Sequence, residues 1–215
     1  MKQSQRRAVP GKASPLEDSV LHGVKNVRAK SLWLVRHALP LIDKGICYGQ
    51  LDVKADLAAT QPCAHTLKNV LPQSTLILVS TLQRCELLAH VFIGLRPDLM
   101  VKKDPKLQEM HFGQWEGRAW ADIDKAELDA WTADFANYRV GGTGESVTQF
   151  MARVAAAFDD LDPTRDTLWV THAGVIRAAT LIASGIRQIS RAEQWPLTAP
   201  AYGQWCKLTL QPHNP

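Results

Sequence analysis

Ser31-Leu32-Trp33-Leu34-Val35-Arg36-His37-Ala38 is the stretch that decides the fold. Four apolar residues, 32–35, run directly into Arg36 and His37. A short apolar run bounded by polar residues reads as a buried strand. The arrangement recurs twice. Thr75-Leu76-Ile77-Leu78-Val79 delivers Ser80-Thr81-Leu82-Gln83-Arg84, and Thr167-Leu168-Trp169-Val170 delivers Thr171-His172. Helical patterns lie between these runs. Strands separated by helices predict an α/β fold, a three-layer αβα sandwich around a mostly parallel sheet. In such sheets ligands bind beyond the carboxyl ends of the strands. If the three strands are neighbours, two histidines and two arginines meet on one rim.

The intervening pattern is read as follows. A short helix is expected near residues 62–70, with Pro62 in its first turn. Leu82, Cys85, Ala89 and Phe92 recur at helical spacing, and Gly94 is a candidate stop. Leu128, Trp131 and Phe135 mark another helix. Ser146-x-x-Gln149 is a capping box, opening a stripe of Val147, Phe150, Met151, Val154, Phe158 and Leu161. Val175, Ile176, Ala179 and Ile182 give a helix that stops near Gly185, and residues 205–210 form the last strand. Residues 38–56 and 105–120, rich in glycine, charge or tryptophan, read as loops.

The chain has 215 residues, 46% of them hydrophobic, enough for one domain with a real core. Its net charge is +4, but residues 1–30 hold seven Lys/Arg against two acids. That is +5, so the body carries −1. The reading is a basic, flexible N-terminal extension over 1–30 and one domain over 31–215. A near-neutral body gives no reason to expect nucleic acid as a partner. No run approaches a membrane span of about 18 apolar residues. Cys47, Cys63, Cys85 and Cys206 show neither a Cys-x-x-Cys pair nor zinc spacing, which points to free thiols and a cytoplasmic location.

A rim of two arginines and two histidines repels itself unless an anion sits in it. A phosphoryl group fits, because arginine offers planar, permanently charged donors that bind its oxygens bidentately. The helix after His172 aims further N–H groups at the same place. The motifs hold no carboxylate set suited to Mg²⁺ and no zinc triad, so no metal or other cofactor is expected. One histidine can attack phosphorus through a neutral ring nitrogen, and the other can donate to a phosphate oxygen. A carboxylic acid is then wanted for the leaving alcohol. Glu109 is one candidate; spacing leaves Asp52, Asp56, Glu116 and Glu145 open beside it.

These motifs together resemble the histidine phosphatase (phosphoglycerate mutase-like) superfamily. Leu34-Val35-Arg36-His37-Ala38 is similar to its Arg-His-Gly signature, and Ser80-Thr81-Leu82-Gln83-Arg84-Cys85 to its second-arginine motif. Glu109-Met110-His111-Phe112-Gly113-Gln114-Trp115-Glu116-Gly117 resembles the segment holding its acid. Thr171-His172-Ala173-Gly174-Val175-Ile176-Arg177 resembles its second-histidine motif, and Gly144-Glu145-Ser146 also matches. The resemblance implies His37 as nucleophile and Glu109 as general acid and later base. It implies Arg36, Arg84 and His172 as the phosphoryl cradle, and a small-molecule phosphomonoester as substrate.

Within the superfamily, Gly45-Ile46-Cys47-Tyr48-Gly49-Gln50-Leu51-Asp52-Val53 resembles the loop of the α-ribazole phosphatases. That implies hydrolysis of α-ribazole 5′-phosphate in cobalamin biosynthesis, with Tyr48 and Gln50 as candidates to touch the leaving group. Three alternatives are a phosphoglycerate mutase-type phosphotransferase, a broad-specificity phosphatase and an inactive member that binds a phosphorylated ligand. The short interval from Glu109 to His172 favours hydrolysis over mutase chemistry by the same resemblance. Ala38 and Ala173 stand where the superfamily usually has glycine. Alanine strains the backbone there only if φ is positive. Lys54-Ala55-Asp56 replaces a more apolar stretch and puts the start of the next helix in question.

Overall fold

The computed structural model describes residues 30–210. All but Lys30 of the expected N-terminal extension lies outside the described residues, as do 211–215. Five strands form one sheet: β1 (Ser31–Arg36), β2 (Leu76–Val79), β3 (Met100–Lys103), β4 (Thr167–Thr171) and β5 (Trp205–Thr209). Their order is β3-β2-β4-β1-β5. All neighbours are parallel except β5, which runs antiparallel to β1. Among the described residues five α-helices accompany them: α1 (Leu57–Lys68), α2 (Gln83–Leu95), α3 (Lys125–Ala133), α4 (Val147–Asp159) and α5 (Ala173–Ala183).

Side chains alternate across the sheet. Leu32 and Leu34 of β1 and Trp169 of β4 pack with Phe150, Met151 and Val154 of α4 and Val175, Ile176 and Ala179 of α5. Trp33, Val35, Ile77, Val79, Leu168 and Val170 face the other way, onto Ala64 and Leu67 of α1 and Cys85, Leu88 and Phe92 of α2. The chain thus forms the expected three-layer α/β sandwich, with the apolar runs buried on both faces. The capping box is formed: Gln149 N donates to Ser146 Oγ at 3.2 Å and Ser146 N to Gln149 Oε1 at 3.0 Å. Gly185, at φ 89°, ends α5. Its N–H bonds Ile182 O at 2.9 Å and Ile186 N–H bonds Leu181 O at 2.9 Å, the paired bonds of a left-handed helix terminus.

Three sequence readings need correction. The first helix starts at Leu57, not near residue 62. Asp56 caps it, accepting from Ala59 N at 2.9 Å, so Pro62 falls in the second turn. The lost backbone bond is tolerated because Cys63, Ala64 and Leu67 bury the helix face that follows it. The same cap shows that Lys54-Ala55-Asp56 still supplies a helix start. Gly94 does not stop α2, which runs to Leu95 and ends at Arg96, before Pro97. The residue before proline is pushed out of helical geometry. Strand β3 was not expected, since its sequence MVKK has no apolar run. It is an edge strand, and its exposed lysines are what an unpaired edge favours.

Candidate active site

The sheet puts β4 between β1 and β2, so the three strand ends are direct neighbours. Val35, Val170 and Val79 lie in one row across them. The ladder continues past the strands: His37 N donates to Thr171 O at 2.9 Å and Ser80 N to Val170 O at 3.0 Å. This register brings His37 and His172 together, ring centroids 5.1 Å apart and planes at 59°. Arg84, in the first turn of α2, is fully buried. It donates through Nη1 to Leu51 O at 2.9 Å and through Nη2 to Gly49 O at 2.5 Å. Arg36 donates through Nη1 to Pro200 O at 3.2 Å. The Nε of each arginine is buried without a partner.

The His37 tautomer follows from its neighbour. Nδ1 lies 2.7 Å from Ala38 O, and a carbonyl only accepts, so the proton sits on Nδ1 and Nε2 carries the lone pair. Burial first, then the charges of Arg84 and Arg36, push the His37 pKa down to about 3, against the Ala38 carbonyl. Burial, with Arg84 next, also holds His172 well below the usual histidine range. The His172 Nε2 lies 2.8 Å from Ser80 Oγ and 3.5 Å from Cys85 Sγ.

Five carboxylates that look alike in sequence separate in space. Asp52 accepts from Gln83 N at 2.7 Å, at the start of α2. Asp56 caps α1. Glu116 Oε1 accepts from Gln50 N and Phe112 N, each at 2.8 Å, tying two loops together. Glu145 pairs with Arg153. Glu109 lines a cavity that His37 also lines, and the other four do not line that cavity. Its Oε1 accepts from Met110 N and its Oε2 from Gly174 N, both at 3.0 Å. A Cβ at Gly174 would sit 2.2 Å from Oε1, so this approach requires glycine. Ala38 and Ala173 need none: Ser74 is the one non-glycine at positive φ among the described residues.

The cavity measures about 100 Å³. Arg36, His37 and Glu109 supply its polar groups, and Ile46, Tyr48, Phe112 and Trp120 its apolar wall. A larger groove of about 550 Å³, beside α2 and β3, includes none of the strand-end residues Arg36, His37, Arg84 and His172. Tyr48 Oη meets Tyr202 Oη at 2.8 Å. The Tyr202 ring lies under the Arg36 guanidinium at 3.8 Å, and Tyr48 is 5.2 Å from that of Arg84. Burial and the bond to Tyr202 raise the Tyr48 pKa. Gln50 turns its side chain to the backbone of Glu109 instead, donating from Nε2 to Glu109 O at 3.1 Å. Sequence reasoning missed Tyr202, Trp120 and the Ser80 hydroxyl. A tyrosine in a late loop carries no local signal of its place.

Residues 32–215 match the family described as histidine phosphatase superfamily, branch 1. The chain belongs to this superfamily. It is 31% identical over 201 residues to glucosyl-3-phosphoglycerate phosphatase of Mycobacterium tuberculosis, covering 85% of this chain and 86% of that one. Adenosylcobalamin/alpha-ribazole phosphatase of Salmonella typhimurium is 30% identical over 185 residues, 76% and 83% of the two chains. Among solved structures, a mycobacterial glucosyl-3-phosphoglycerate phosphatase in complex with VO3 superposes with a TM-score of 0.69 at 28% identity. That likeness covers 84% of this chain and 93% of the other. Fold, family and the histidine–arginine cluster together support hydrolase activity. These relatives do not single out α-ribazole phosphatase, so the superfamily is shown and the subgroup is not. No helix among the described residues is long and apolar enough to cross a membrane.

Proposed function

We propose that this superfamily member is a phosphomonoesterase that works through a phosphohistidine on His37. The observation that carries the reading is the shared cavity of His37 and Glu109, with the His37 lone pair fixed on Nε2 by the Nδ1–Ala38 contact. In the first step Nε2 attacks phosphorus and the ester P–O bond breaks. Glu109 gives its proton to the departing alkoxide. In the second step the Glu109 carboxylate takes a proton from water, the water oxygen attacks phosphorus, and the P–N bond breaks. Arg36, Arg84 and His172 hold the phosphoryl oxygens as charge grows on them. Tyr48 lines the wall beside the leaving group, and Gln50 acts by holding the acid's backbone. A cavity of about 100 Å³ suits the phosphoryl group, with the alcohol extending outward past the aromatic wall.

For the alcohol, α-ribazole 5′-phosphate is the leading reading. The wall of Tyr48, Phe112 and Trp120 favours a flat aromatic group over one bearing a second anion. Glucosyl-3-phosphoglycerate is the second reading, supported by the relative that matches over 85% of this chain. A panel of phosphomonoesters containing both compounds, read as kcat/KM, separates them. Equal slow turnover of all esters would replace both with a broad-specificity phosphatase. Acid-labile phosphate trapped on any residue other than His37 would overturn the mechanism.

A further inference from the structure

Arg153 differs from the arginines of the rim in how its donors are used. A guanidinium has five N–H groups, and Arg153 spends all of them on the protein. Nε donates to Glu145 Oε1 at 2.8 Å and Nη2 to Glu145 Oε2 at 2.7 Å. Nη1 donates to Lys106 O at 2.9 Å and Gln108 O at 2.8 Å, and Nη2 also to Glu109 O at 3.2 Å. Glu145 Oε2 in turn accepts from His111 N at 3.0 Å, and Glu145 N donates to His111 O at 2.8 Å. One ion pair therefore holds the backbone at residues 106, 108, 109 and 111, on both sides of Glu109. The pair is about four-fifths buried, with side-chain exposures of 19% and 20%. A buried, bidentate pair whose donors are all satisfied fixes geometry far better than an exposed one.

We infer that the Arg153–Glu145 pair is a positioning device for the general acid. Neither residue lines the cavity of His37 and Glu109; the pair sets where the Glu109 carboxylate stands relative to the leaving oxygen. The inference rests on Glu109 being the acid in the proposed reaction. Lysine keeps the charge at 153 but is a single point with three donors, and it lacks the planar fork. It leaves the backbone around Glu109 loose. Misplacement on the order of 1 Å costs about 10²-fold in a positioned step.

The test exploits leaving groups. An alkoxide needs a proton as it departs, whereas p-nitrophenolate leaves without one. Arg153→Lys, Glu145→Gln and Glu109→Gln are compared with the unaltered protein on glycerol 2-phosphate and p-nitrophenyl phosphate. kcat/KM is measured, since it reports the step in which the alcohol leaves. Inhibition by inorganic phosphate checks the phosphoryl cradle, and thermal melting checks folding. We expect Arg153→Lys and Glu145→Gln to lose roughly ten- to hundred-fold on the alkyl ester. On the aryl ester the loss should stay within about three-fold, with phosphate inhibition retained, the same selectivity as Glu109→Gln. Equal loss on both esters by the two clamp variants, or no loss on either, overturns the positioning role. If Glu109→Gln itself slows both esters equally, the acid assignment falls first, and the clamp falls with it.

Discussion

Gly174→Ala should separate activity from stability. The added Cβ would stand 2.2 Å from Glu109 Oε1, 3.0 Å from Cδ and 3.3 Å from Oε2. Ordinary contact begins at about 3.4 Å, so the carboxylate must retreat by about 1.2 Å. Nothing else need move, because Gly174 is not among the glycines with positive φ and already lies in α5. Alanine there improves helix propensity by about 0.5–1 kcal/mol. Losing the Gly174 N–H bond to Oε2 costs about 1.5–3 kcal/mol. The two offset in part, leaving a net loss of about 2.5 kcal/mol at most and a melting temperature lowered by less than ~10 °C. If Glu109 is the acid, as proposed, this displacement costs on the order of 10²-fold in kcat/KM for an alkyl phosphate. Steady-state kinetics on glycerol 2-phosphate and a thermal melt on the same preparation measure both. Unchanged kcat/KM in a folded variant would refute the placement of Glu109 against α5.

Further outcomes follow from the same geometry. His37→Asn should abolish turnover and leave no acid-labile phosphate on the protein, measured by labelling and acid quench. Arg84→Ala should lower kcat/KM by roughly 10²–10³, and this should hold for alkyl and aryl esters alike, because a phosphoryl ligand serves both. The folded protein keeps His37 neutral down to about pH 3, whereas the unfolded chain protonates near the ordinary value of 6.5. The unfolded state binds more protons in that window, so the His37 contribution is whole above pH 6.5 and is lost as pH falls toward 3. Denaturant titrations at pH 7.5 and 4.5 should show this loss, and His37→Asn should make it smaller. Tyr202→Phe removes the hydroxyl that meets Tyr48 but keeps the ring under Arg36. It should change KM by a few-fold, about 1 kcal/mol or less, with phosphate inhibition little altered.

The rim of the site was legible because strand ends are a one-dimensional signal. An apolar run that gives way to polar residues marks the place where a buried strand meets a ligand face, and Arg36, His37, Arg84 and His172 lie within five residues of such run ends. The proposed acid, Glu109, is not legible by that route. Glu109 differs from Asp52, Asp56, Glu116 and Glu145 only in its tertiary partners, and resemblance, not spacing, singled it out. Pro62 suggests a first-turn position and so a start near residue 62, but the cap is Asp56, six residues earlier. β3 was invisible because its pairing to β2 is backbone chemistry that its side chains do not announce. Arg153 carries no signal in the sequence, because an arginine on α4 beside an apolar stripe looks the same whether it is solvated or paired.

The strand order has a bearing on how the molecule is made. Among the described residues β1 pairs only with β4 and β5, and β4 begins at residue 167. A ribosome that has released the first 160 residues has therefore produced His37, Arg84 and Glu109 without the strand that joins them. Until then β1 has no sheet to enter, and its apolar residues await a partner more than a hundred positions downstream. Such long-range closure is slow compared with local helix formation. The rim around His37 therefore cannot close before β4 is made, and a chain interrupted before β4 lacks the central strand on which that rim is built.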